Sequence, residues 1–231
     1  MGEIIYGSDV KFTTLPVDTT IIFNPDLTYG TVSDIEGNTY KTVQIGTQVW
    51  MAENLKVTKY RDGSSIQNIK DKYTWINDTI GAYCLWENSN LYGSTFGHLY
   101  NYYAVANKSN LCPTGWHVPT NDEWTSLITY LGGEIFAGNK LKETGTTHWQ
   151  GPYTDATNET GFTALPGGYL DSTIGVDVGL GTFGVWWSST MSSGSTSLIS
   201  IMSCFDSECY VGGIQSRLMS EGISVRCIKD N

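Results

Sequence analysis

The clearest pattern of apolar and polar positions lies at residues 120–131. Pro119 precedes Thr120, and Glu123 follows three residues on, the pairing of a capping box. Trp124, Leu127, Ile128 and Leu131 then recur at i, i+3, i+4 and i+7, which predicts a helix with one apolar face. Gly132-Gly133 supplies its stop. A shorter helix is predicted over residues 134–143, with Gly138 counting against it. Elsewhere apolar positions alternate over short runs. Residues 40–45 and 48–51 flank Gly46-Thr47 and read as a hairpin. Residues 81–86 read as a strand, 161–228 as strands broken by Gly-rich loops, and 223–228 as the terminal strand. Two or three helices among many short strands predict an α+β fold of small antiparallel sheets with long irregular loops.

Composition narrows the function classes. The 231 residues suit one large domain, or one domain plus a fragment. Thirteen Lys and Arg against 23 Asp and Glu give a net charge of −10, too few cations to neutralise a phosphate backbone or to dock on an anionic membrane. Partners are therefore expected to include no nucleic acid, and no insertion of the chain into a membrane is expected, since no apolar run approaches the ~20 residues of a spanning helix. Charged residues are 16% and aromatics 13%, with 26 glycines, the profile of a loop-rich domain of extracellular type. Five cysteines, at 84, 112, 204, 209 and 227, form no CxxC pair and show no zinc spacing. They fit disulfides in an oxidising compartment or a reduced set, and the odd number leaves at least one thiol free if all pairing is intramolecular.

Long stretches of the chain resemble one family. The opening Gly30-Thr-Val-Ser-Asp34-Ile-Glu-Gly37-Asn38-Thr-Tyr40, continuing through Gln48-Val-Trp50-Met51-Ala-Glu53-Asn54-Leu55, is similar to the start of the Fibrobacter succinogenes major paralogous domain. So are Leu99-Tyr100-Asn101-Tyr102-Tyr103, Cys112-Pro113-Thr-Gly115-Trp116-His117-Val118-Pro119, Asn158-Glu159-Thr-Gly161-Phe162, Trp186-Trp187-Ser188-Ser189 and Ser224-Val225-Arg226-Cys227. The resemblance covers residues 27–231 in order. It implies a C-type lectin-like fold related to the sulfatase-modifying factors, in secreted or cell-surface proteins of Gram-negative bacteria, with no established enzymatic activity and no cofactor. It also implies a disulfide between Cys112 and Cys227, joining an early element to the last strand. Residues 4–15, with Tyr6-Gly7 and Val10-x-Phe12-Thr13-Thr14, resemble the closing strand of a fibronectin type III-like module. Residues 16–26 then read as a linker or covering segment, and Met1-Gly2-Glu3 as the cut end of a larger parent.

The expected function is a non-enzymatic surface module that binds a polysaccharide or a surface protein through loops on a rigid scaffold. The aromatic and imidazole side chains near loops are the candidate contacts: Trp86, Tyr92, His148, Trp149, Tyr153 and Trp187, the last on the assumption that one of the neighbouring Trp186 and Trp187 rings is partly exposed. His117 is expected to be a satisfied structural side chain. Asp155, Asn158 and Glu159 offer oxygen ligands in one loop for a structural calcium. Cys204 and Cys209, with Tyr210 following, resemble the cysteine pair of formylglycine-generating enzymes, which implies a copper-dependent thiol oxidase as the alternative function. Asp206 and Glu208 beside them work against it, because neighbouring carboxylates raise a thiol pKa. A structural spacer in a multidomain surface protein is the third reading.

Overall fold

A computed structural model describes residues 19–151, 155–203 and 205–231. The strand expected over residues 4–15, Tyr153 and Cys204 lie outside these. The chain runs β1 (Gly30–Ser33), β2 (Thr39–Ile45), β3 (Gln48–Met51), β4 (Gln67–Asn68), α1 (Lys72–Ile76), β5 (Ala82–Cys84), α2 (Asn90–Phe96), β6 (Leu99–Tyr100), α3 (Tyr102–Val105), β7 (Trp116–His117), α4 (Asn121–Tyr130) and α5 (Glu134–Leu141). A β-rich part follows: β8 (Gly167–Asp171), β9 (Val176–Leu180), β10 (Phe183–Ser193), β11 (Thr196–Ser203), β12 (Cys209–Leu218), β13 (Ile223–Ser224) and β14 (Ile228–Lys229). The class is α+β. Five helices stand among the described residues rather than two or three. The additional ones, α1 to α3, are too short to display an apolar period.

Two sheets share the end of the chain. The smaller has the order β1-β2-β3-β14-β7, and the larger β12-β11-β10-β13-β6-β5-β4, with β8 beside β10 and β9 beside β8. The single terminal strand expected over 223–228 is instead divided. β13 pairs with β10 and β6, then the chain crosses to the other sheet, where β14 pairs with β3 and β7. Backbone bonds hold the crossing: Leu55 N–H donates to Val225 O at 2.8 Å and Met51 N–H to Cys227 O at 3.0 Å. The Cys112–Cys227 disulfide closes there, with Cα atoms 5.9 Å apart. It links residues 115 apart in sequence, a loop for which chain entropy gives roughly 4.7 kcal/mol.

Successive side chains of β10 point to opposite faces, and both faces are covered. Trp187 enters a core with Tyr100, Val225 and Cys227; Trp186 enters a second with Trp50, Trp124 and Phe162. Both rings are 0% exposed, which corrects the assumption that one would reach solvent. α4 completes the second core. Its capping box is formed, Glu123 N–H donating to Thr120 Oγ1 at 3.2 Å and Thr120 N–H to Glu123 Oε2 at 2.8 Å. Trp124 packs on Trp50 with ring centroids 4.7 Å apart. α5 forms despite Gly138 because that glycine lets the helix approach the turn before β12: a Cβ there would lie 2.4 Å from the carbonyl oxygens of Ser207 and Glu208.

Residues 19–29 lie against the domain. Ile22 N–H donates to Glu143 Oε1 at 2.6 Å, and Asn24 Nδ2 to Asn158 O at 3.0 Å. Phe23 and Tyr29 meet edge to face at 5.4 Å, with Lys41 Nζ 4.0 Å from the Phe23 centroid. No helix among the described residues is long and apolar enough to cross a membrane.

Candidate functional site

Where the two cores meet, a buried cation ties the elements together. Arg226, 0% exposed, donates to Asn54 Oδ1 from Nε at 3.1 Å and Nη2 at 2.8 Å, and to Phe162 O from Nη1. Its guanidinium lies 4.2 Å from the Phe162 ring centroid. Trp186 Nε1 donates to the same Asn54 oxygen at 2.8 Å, and Asn54 Nδ2 donates to Phe96 O at 2.8 Å. Burial pulls the Arg226 pKa down to about 9, with the Glu53 charge opposing, so it remains a cation at neutral pH. Neutral acceptors and ring faces hold this charge, and every donor direction points at protein. The arrangement orders the scaffold rather than opening to a ligand.

The residues singled out from the sequence separate into interior and surface. Trp149 is buried, its Nε1 donating to Ala164 O at 2.9 Å and Lys142 Nζ lying 5.2 Å from its ring. Trp187 Nε1 donates to Tyr100 O at 2.7 Å. Trp86 is buried against Gly168, where a Cβ would lie 2.5 Å from Trp86 Cζ3. His148 Nδ1 lies 2.6 Å from Glu143 Oε2, with both side chains buried. These four offer no open face to a ligand: Trp187 lies on β10 between the cores, and the segments carrying the other three fold inward. Tyr92 is half-buried beside Phe96, at 6.4 Å. Asp155 is exposed. The Asn158 amide is engaged within its own loop, Thr163 N–H donating to its Oδ1 at 2.9 Å, and Glu159 pairs with Lys140 at 3.3 Å. Cys209 is a free, buried thiol whose burial pushes its pKa up to about 12, with Ser200 Oγ 3.5 Å away; thiolate chemistry requires the opposite.

His117 is held between two carboxylates, its Nδ1 2.6 Å from Asp230 Oδ1 and its Nε2 2.9 Å from Glu123 Oε1. Burial lowers its pKa, but the hydrogen bonds to Asp230 and Glu123 outweigh that, and the imidazole lies above its ordinary value. It clamps the start of α4 to the chain end, in keeping with a structural side chain.

Apart from a cleft of about 250 Å³ lined by residues that include Asp34, Val57 and Arg61, the open concave surface lies around α4 and the tip of the β2–β3 hairpin. A cleft of about 260 Å³ on one side of the tip is lined by residues that include Gln48, Glu123 and Asp230. A second, of about 300 Å³, is floored by Val43, Ile45 and Leu131, with Gln44, Glu159 and Thr160 at its sides. Tyr130 stands in its wall, 67% exposed. Tyr130 was not among the residues expected to make contacts. The signal was present: it falls off the apolar stripe of Trp124, Leu127, Ile128 and Leu131, where an amphipathic helix has no packing use for a ring.

A family model described as the Fibrobacter succinogenes major domain matches residues 43–229. The chain belongs to that family. The match takes in the larger sheet, the smaller sheet from the end of β2 onward, the Arg226 hub and most of the residues lining the clefts beside α4. No curated protein and no solved structure matches the chain.

Proposed function

We propose that this family member is a non-enzymatic surface module, working outside a Gram-negative cell, that binds a polysaccharide or a protein through the clefted face around α4. The observation that carries this is Tyr130, a large exposed ring set in a concave wall while the other aromatics flagged near loops are mostly packed inside. The disulfide supports an oxidising compartment. The capped helix α4 beside a sheet that ends with the chain terminus, stapled by Cys112–Cys227, supports the C-type lectin-like reading of the scaffold. Such a scaffold is rigid where it is covered and offers ligands the concave surface around α4.

The test is a binding screen of the intact chain against immobilised polysaccharides and purified bacterial surface proteins. Alanine variants on this face (Gln44, Ser126, Tyr130) are compared with alanine variants at exposed positions elsewhere, such as Tyr73 and Ile80. Loss confined to the first group is the expected result. Equal binding by both groups, or binding to nothing in the screen, rejects this reading.

A further inference from the structure

Gly46, at the tip of the β2–β3 hairpin, has φ +60°, and a Cβ there would lie 3.2 Å from both Cδ2 and Cε2 of Tyr130. The hairpin tip therefore supports the phenol ring from one side. A Cβ there would press the ring back by a few tenths of an ångström, so glycine, at home at this positive φ, lets the ring sit close. A ring braced in this way loses little conformational freedom when something stacks on its open side, which distinguishes it from a surface tyrosine free to rotate.

We infer that the cleft beside Tyr130 is a stacking subsite for a neutral pyranose ring, a conclusion that rests on the reading of this face as the binding surface. The floor of Val43, Ile45 and Leu131 is apolar and suits the C–H face of a sugar. The sides carry groups that can hydrogen-bond hydroxyls. Gln44 donates one N–H to Gly46 O at 3.1 Å, which fixes its amide and leaves its carbonyl oxygen and second N–H for a ligand. Glu159 adds carboxylate acceptors. Charge decides between ligand classes. None of the residues lining the cleft is cationic, the nearby Lys140 is already paired with Glu159 at 3.3 Å, and the whole chain carries −10. An acidic or sulfated glycan would meet repulsion without a counter-charge, whereas a neutral ring meets none.

Calorimetric titration of the intact chain with neutral oligosaccharides of glucose, xylose, mannose and galactose tests this, using the native protein, Tyr130→Ala and Tyr130→Phe. The expected result is binding by the native chain, at least about tenfold weaker for Tyr130→Ala and nearly unchanged for Tyr130→Phe, with little dependence on salt. Because Tyr130 is largely exposed, the melting curves of both variants should overlay the native one. Native-like affinity in Tyr130→Ala overturns the subsite. So does a native chain that ignores neutral sugars while binding an acidic glycan or a protein through the same face, an outcome that leaves the binding-module reading standing. A native chain that binds no sugar and no protein overturns both.

Discussion

The strand β10 and the helix α4 carry aromatic side chains to opposite fates. On β10, Trp186 and Trp187 project to either side and are swallowed whole, one by each core, with both indole N–H groups bonded inside. On α4, Trp124 is buried just as completely, its indole N–H without a hydrogen-bond partner among the described residues, but Tyr130 stays outside, braced on Gly46. The difference does not follow from whether a residue lies in or near a loop. A strand between two packed layers hides both of its faces, whereas a helix laid on a sheet hides one stripe. In a chain this rich in aromatics, the ring displaced from the stripe is therefore the informative one.

The interior side of this contrast is where mutation costs most. Replacing Cys112 and Cys227 together by Ser should lower unfolding free energy by roughly 4–5 kcal/mol, measured by urea denaturation; a variant as stable as the native chain contradicts the staple. Asn54→Ala removes the oxygen shared by Arg226 and Trp186 and leaves a buried cation short of acceptors, at a cost of about 3 kcal/mol by the same measurement.

Glu221 sharpens the comparison through pH. It is buried, with Oε2 3.7 Å from Arg217 Nε, and burial pushes its carboxyl from about 4.5 up to about 7. Its contribution to stability is fully present below about 4.5 and is lost as pH rises through about 7, a change on the order of 2–3 kcal/mol. Glu221→Gln should flatten the slope of melting temperature between pH 5 and 8, since an amide does not titrate; an unchanged slope assigns the titration elsewhere. The smallest effect belongs to the open face. Tyr130→Ala should change unfolding free energy by less than about 0.5 kcal/mol, and a loss above 1 kcal/mol would place the ring in the packed structure instead.

Local signals were legible where one element declares itself alone. The capping box and the apolar period of Trp124 to Leu131 foretold α4, and Gly46-Thr47 foretold the hairpin. The disulfide followed from the family resemblance rather than from spacing. What stayed hidden depends on distant partners. The run 223–228 has the composition of one strand, yet its two ends pair with different sheets, which no alternation in the run can announce. Arg226 stands in the run 224–227 that carries the resemblance, but its burial is set by Phe162, Trp186 and Asn54, which close over it from far along the chain. Trp149 and His148 lie in a polar stretch whose inward fold is set by contacts with Ala164 and Glu143. Gly138 counted against α5 for sound local reasons, and the close approach of the turn at Ser207 and Glu208 overrides them.

The separation of a covered interior from the concave face around α4 is tested most directly by amide chemical-shift mapping of the native chain as a neutral oligosaccharide is added. The account predicts that the largest shifts fall on Gln44, Gly46, Tyr130, Leu131 and Thr160, with Trp86, Trp149 and Trp187 unmoved. Shifts centred on those tryptophans, with the hairpin tip and the end of α4 silent, would contradict it.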